Sequence, residues 1–297
     1  MAYQVLGTHS RARFCATQRL ISLAVVMVLL AFATAVSQGQ NPTTAPRPTN
    51  PTVPNPNVPG TLPTPNPNLA FRLDHFVCYL IQPPQFEGHG ALSMIDQFNL
   101  KPVPFKLTSR ELLCNPVSKN QEPIINRQAH LVAYAMEGPA SQPRNIPVLV
   151  TNQFGANQRY IVLGQNRFLV PTGKVALGPT TAAPPVPPIP ERFGHYACYA
   201  VKPEGAFPQR DVVLQDQFGR LQGEVYEPAF LCNPAEKFID GKQAGPVVNQ
   251  RDHLMCYALK TGFQPRKAII HNQFETREIE AVRPAFLCVP SIKQVSK

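Results

Sequence analysis

What most restricts the fold of this chain is that four stretches of it are copies of one unit. The first marker, His75-Phe-Val-Cys78-Tyr79, returns as His130-Leu-Val-Ala133-Tyr134, His195-Tyr-Ala-Cys198-Tyr199 and His253-Leu-Met-Cys256-Tyr257. The second is Asp96-Gln97-Phe98, followed by Asn152-Gln153-Phe154, Asp216-Gln217-Phe218 and Asn272-Gln273-Phe274. The third is a proline with a lysine three residues on: Pro116 with Lys119, Pro171 with Lys174, Pro234 with Lys237 and Pro290 with Lys293. A unit of about 50 residues buries too little surface to stand alone, so neighbouring copies must share a core. Copies one and three carry Asp before Gln-Phe, and copies two and four carry Asn, which points to a pair that was later duplicated as a pair.

Within each copy the pattern reads as β. Short apolar runs such as Phe76 to Ile81, Val148 to Val150, Val212 to Leu214 and Ala268 to Ile270 are punctuated by Gly, Pro, Asn and Asp. No stretch keeps a helical period for three turns without meeting a proline or glycine. The expected fold is all-β: two tandem domains, each a barrel or sandwich of two pseudo-symmetric, disulfide-stapled repeats.

Composition sets the borders. The 34 prolines concentrate in two stretches. Residues 36–69 are almost wholly Asn, Pro, Thr, Gln, Gly and Val, too poor in apolar surface to fold, and read as an extended tether. A second Pro-rich stretch, 178–190, separates an expected domain at 70–177 from another at 191–297. Residues 1–35 read as a secretory signal: Arg11, Arg13 and Arg19 precede an apolar run that ends in Ala33-Thr34-Ala35. An uncleaved N-terminal anchor is the rival reading and would be the chain's one contact with a membrane. In either case the remainder is expected outside the cytoplasm: secreted, periplasmic or on the cell surface. Without the leader's three arginines the net charge of +10 falls to +7 and forms no Lys/Arg cluster, so nucleic acid is not an expected partner.

Once Cys15 leaves with the leader, six of the seven cysteines remain. Copy two lacks both of its cysteines, with Ala133 at one position and Leu169 near the other. A joint loss is expected when the two bond to each other, because a lone survivor would be an exposed thiol. The expected bridges are therefore Cys78–Cys114, Cys198–Cys232 and Cys256–Cys288, each contributing about 3–4 kcal/mol through loop closure. Zinc is the competing reading, but the spacing has no Cys-x-x-Cys pair.

His75, His130, His195 and His253 invite a paired-histidine metal or pH-sensing site, with His75 near His130 and His195 near His253. A hydrogen bond that specifies the fold would recur in the same way. Alternation along a strand puts each His on the face of the Tyr four residues on and opposite the Cys. The Gln-Phe segments (Gln97, Gln153, Gln217 and Gln273) read as core Phe beside polar groups that satisfy backbone. Across a pseudo-twofold axis Asp96 would then meet Asn152, sparing two carboxylates their repulsion. The four lysines read as solvated turn residues. No motif for a serine hydrolase, zinc protease, phosphate loop or calcium loop occurs, and no cofactor is expected.

Together the His-x-x-Cys-Tyr, Asp-Gln-Phe and Leu-Cys-Asn-Pro-x-x-Lys series resembles an uncharacterised repeat family of secreted bacterial proteins over roughly residues 72 to 295. The resemblance implies an extracytoplasmic repeat domain and carries no activity. The expected function is a non-enzymatic binding or structural module, with a cell-envelope polymer or an extracellular protein as the class of partner. The alternative is a secreted hydrolase that uses the repeated His and acidic residues in an inter-repeat cleft.

Overall fold

The computed structural model describes residues 72–88, 90–142, 144–178, 185–186 and 188–296. The leader at 1–35 and the tether at 36–69 lie outside the described residues.

Copy one contributes β1 (His75–Gln82), β2 (Leu92–Asp96) and the long β3 (Asn99–Lys119). Copy two gives β4 (His130–Glu137), β5 (Ile146–Asn152) and β6 (Gly155–Ala176). Copy three gives β7 (His195–Pro203), β8 (Arg210–Asp216), β9 (Gly219–Ile239) and a short β10 (Lys242–Gly245). Copy four gives β11 (His253–Thr261), β12 (Arg266–His271) and β13 (Thr276–Val295). Apart from one 3-10 turn at Pro139–Ser141, the named elements are all strands.

Eight of these strands close a ring by antiparallel pairing in the order β1, β3, β4, β6, β7, β9, β11, β13 and back to β1. The all-β, disulfide-stapled repeats are as expected. The expected division into two closed bodies is corrected: β6 of the first half pairs with β7 of the second, and β1 pairs with β13. Two copies alone would leave two open edges of unpaired N–H and C=O groups, and joining the halves removes both. Residues 178–190 thus connect two adjacent strands of one sheet, within the compact unit Pro59–Lys297.

Both faces of the ring are buried, which is why segments such as His75–Ile81 read as continuous apolar runs rather than alternating ones. The inner face carries Phe76, Cys78, Leu112, Cys114, Leu131, Ala133, Leu169, Tyr196 and their counterparts. The outer face carries Val77, Tyr79, Leu113, Val132, Tyr134, Tyr199 and Tyr257, packed against the β2, β5, β8 and β12 segments. Each long strand takes a register shift at the same place, next to Arg110, Gln165, Pro228 and Pro284. A bulge tolerates a residue with no ladder N–H, so proline fits there in copies three and four.

The three bridges form as expected, between directly opposed strand partners with Cα–Cα separations of 3.9, 4.0 and 3.9 Å. Ala133 faces Leu169 at the same register in copy two. The staples lie inside the ring, and the first touches the third, with Cys78 Sγ 3.7 Å from Cys288 Sγ.

Four further pairings join copies that are not neighbours in the chain. β2 of copy one pairs with the end of β9 in copy three, and β8 of copy three with the end of β3 in copy one. In the same way β5 pairs with the end of β13, and β12 with the end of β6. Copy one is therefore tied to copy three, and copy two to copy four.

Candidate functional site

The turn that follows each short second strand carries Asp/Asn-Gln-Phe and docks on two other copies. In copy one, Asp96 Oδ1 accepts from the backbone N–H of Phe98 (3.1 Å) and Asn99 (2.9 Å), the local turn that this residue type favours. Its Oδ2 accepts from Tyr199 Oη at 2.9 Å and Asn233 Nδ2 at 3.0 Å, both in copy three. The mirror contact joins Asp216 Oδ2 to Tyr79 Oη (2.9 Å) and Asn115 Nδ2 (2.7 Å) of copy one.

Copies two and four use different chemistry at the same place. Asn152 Nδ2 donates to Tyr257 Oη (2.8 Å) and Ser291 Oγ (3.0 Å), while Asn272 Nδ2 donates to Tyr134 Oη (2.9 Å) and Thr172 Oγ1 (3.2 Å). The Asp/Asn alternation thus matches a second one: Asp faces Asn115 or Asn233, and Asn faces Thr172 or Ser291. An acceptor-only carboxylate needs the amide donor, whereas a carboxamide donates to a hydroxyl. The expected meeting of Asp96 with Asn152 is corrected, because the axis relates copies one and three rather than one and two.

The lysines are corrected as well. Lys119, Lys174 and Lys237 are buried, and Lys293 is partly so. Each lies over the Phe of the following copy: Lys119 over Phe154 (5.9 Å to the ring centre), Lys174 over Phe218 (4.1 Å), Lys237 over Phe274 (5.0 Å) and Lys293 over Phe98 (4.1 Å). Burial lowers the Lys174 ammonium to about 7, with Asp216 opposing. It likewise lowers Lys293 to about 7 against Asp96, and Lys237 to about 8. Lys293 Nζ donates to Asn233 Oδ1 at 2.7 Å, and Lys119 Nζ reaches Glu122 at 3.2 Å. Lys174 Nζ and Lys237 Nζ make no hydrogen bond.

The four histidines are buried beside these lysines. His75 Nε2 donates to Gln153 Oε1 at 2.9 Å, and Gln273 Nε2 stands 2.5 Å from His195 Nε2, so each Gln belongs to the next copy. Gln97 donates to the Gln250 carbonyl (3.0 Å) and Gln217 to that of Arg127 (3.2 Å), in the segments just before His253 and His130. Burial is the main cause holding all four imidazoles low: His253 to about 3, His75 to about 4, and His130 and His195 well below the usual range. No hydrogen bond joins two histidines among the described residues, and no group of three or more His, Cys, Asp or Glu there is placed to hold a metal. No hydrogen bond pairs His75 with His130 or His195 with His253; the rings of His75 and His195 meet the Gln of the next copy's turn segment instead.

One buried pair had no repeat signal. Arg110, 1% exposed, donates to Glu275 through Nε at 2.7 Å and also to the carbonyls of Pro83 and Gln85, while Tyr134 Oη donates to Glu275 at 2.7 Å. The available hint was that Arg110 stands where copies three and four have Pro228 and Pro284.

Residues 130–290 match the profile of a family described as a repeat of unknown function, DUF7450. The chain belongs to that family. The match runs from His130 of copy two to Pro290 of copy four, so the matched span contains both types of turn segment, Asp216 and Asn272. No curated protein and no solved structure matches the chain.

Proposed function

We propose that this DUF7450 protein is a non-enzymatic extracytoplasmic module, structural or ligand-binding, that the Pro-rich tether holds away from the cell envelope. The carrying observation is that repeated polar residues are taken up by contacts between copies: His75 and His195 with Gln, Tyr with Asp or Asn, and Lys with Phe. A hydrolase would need such groups presented to a cleft, and here the imidazoles are buried and held neutral. Three disulfides suit an oxidising compartment. Among the described residues no helix is long and apolar enough to cross a membrane. Open depressions remain for a ligand. One of about 790 Å³ is lined by Asp211, Gln222, Glu224, Lys260 and Thr261. The test is to pass envelope polymers and secreted proteins of the producing cells over the immobilised full chain. Retention of a chemically unchanged species, lost when the disulfides are reduced and the bait unfolds, is the expected result. Release of cleavage products that disappear with reduction would overturn the reading in favour of a hydrolase.

A further inference from the structure

Lys293, Asn233 and Asp96, from copies four, three and one, converge in one buried cluster. Lys293 Nζ is 2.7 Å from Asn233 Oδ1, and Asn233 Nδ2 is 3.0 Å from Asp96 Oδ2. A nitrogen in hydrogen-bond contact with the carboxamide oxygen is close to the separation of about 3–3.5 Å from which it can add to the carbon. The Phe98 ring, 4.1 Å from Nζ, keeps that side of the amine dry. Across the ring the equivalent residues are present without that contact: Asn115 Nδ2 is 2.7 Å from Asp216 Oδ2 and Lys174 Nζ is 4.1 Å from the centre of the Phe218 ring. There Asn115 Oδ1 and Lys174 Nζ are both buried and both without a hydrogen-bond partner.

We propose that the folded chain makes its own amide cross-link between Lys293 and Asn233, with Asp96 as the proton carrier. The uncharged amine of Lys293 adds to Cγ of Asn233. Asp96 takes a proton from Nζ and returns one to Nδ2, the Cγ–Nδ2 bond breaks, and ammonia leaves. One amide replaces another, so no oxidant and no activated donor is needed. Burial favours the uncharged amine that this step requires. Asp96 and Pro234 also line an open depression of about 430 Å³, a route for the ammonia to solvent. Lys119 and Lys237 are internal controls, because Val289 and Val170 stand where their partner asparagine would be.

The deciding experiment is a tryptic map of the purified full chain after reduction, read by mass spectrometry. The expected result is a branched species that joins the peptides containing Asn233 and Lys293, one ammonia lighter than their sum. Cleavage after Lys293 should be lost, whereas cleavage after Lys119 and Lys237 stays ordinary. Lys293→Arg keeps a cation over Phe98 and should return the mass by one ammonia, and Asp96→Asn should leave Asn233 and Lys293 unlinked. Linear peptides with intact Asn233 and free Lys293, from wild-type protein whose three disulfides show it folded, would overturn the proposal. So would a link that survives Asp96→Asn.

Discussion

At the scale of single residues, the buried cations and imidazoles determine how the protein responds to pH. Lys237 has no exposed surface and no hydrogen bond, and its ammonium lies over the Phe274 ring. Burial holds it at about 8, below the value of about 10.4 expected in the unfolded chain. Between those values the unfolded state binds more protons, so this group makes stability rise with pH from about 8 to about 10.4, and below about 8 its cost is fully present. Lys237→Met should remove that rise and stabilise the protein at pH 7 by roughly 1–3 kcal/mol, as read from urea midpoints at pH 7 and 10. The histidines act in the same direction at lower pH. His253 at about 3 and His75 at about 4 must stay neutral in the fold while the unfolded chain protonates near 6.5. Stability should therefore fall as pH drops from about 6.5 to about 4, by at most about 1.4 kcal/mol per unit for each ring. His253→Asn should flatten the slope of a denaturation series over that range.

At the scale of elements, the turn segments and staples are matched to specific partners. Asn152 donates to Tyr257 and Ser291, and no cation faces it at hydrogen-bond range. Asn152→Asp removes both donations and leaves a buried carboxylate oxygen with only the Tyr257 and Ser291 hydroxyls and no side-chain amide donor, an expected loss of about 1–3 kcal/mol that chemical denaturation would measure. The same change in reverse at Asp216, together with Asn115→Val and Val117→Thr, should be tolerated far better than Asp216→Asn alone. Ala133 and Leu169 keep the register of a cystine. Ala133→Cys with Leu169→Cys should close a fourth bridge in oxidised protein, detectable as no free thiol and a gain of up to about 3–4 kcal/mol. The repeat markers and the three cystine pairings were legible in the sequence because a joint loss in copy two records which residues touch. The meeting of Asp96 with copy three was not, because four similar copies allow several pairings and only the β2–β9 and β3–β8 ladders select one.

At the scale of the whole molecule, the closed ring predicts one cooperative unit. Calorimetry of the oxidised chain should show a single transition whose calorimetric and van't Hoff enthalpies agree, whereas two tandem domains would give two. Either half made alone, 1–177 or 191–297, should fail to give that transition, since each would expose two ring edges and lose its turn-segment partners. Cleavage within 178–190 should leave the body folded, because the strands on either side stay paired. By itself the sequence determined the strand content, the four-fold repetition, the cystine pairs and the face on which each His and Tyr lies, all of which follow from local spacing and alternation. Only the tertiary structure decided that four copies close one ring, that each turn segment docks on other copies, and that the lysines are buried over phenylalanines. Those outcomes depend on which strand edges find each other across up to about two hundred residues. Spacing along a chain carries no record of that choice when every copy offers the same edge.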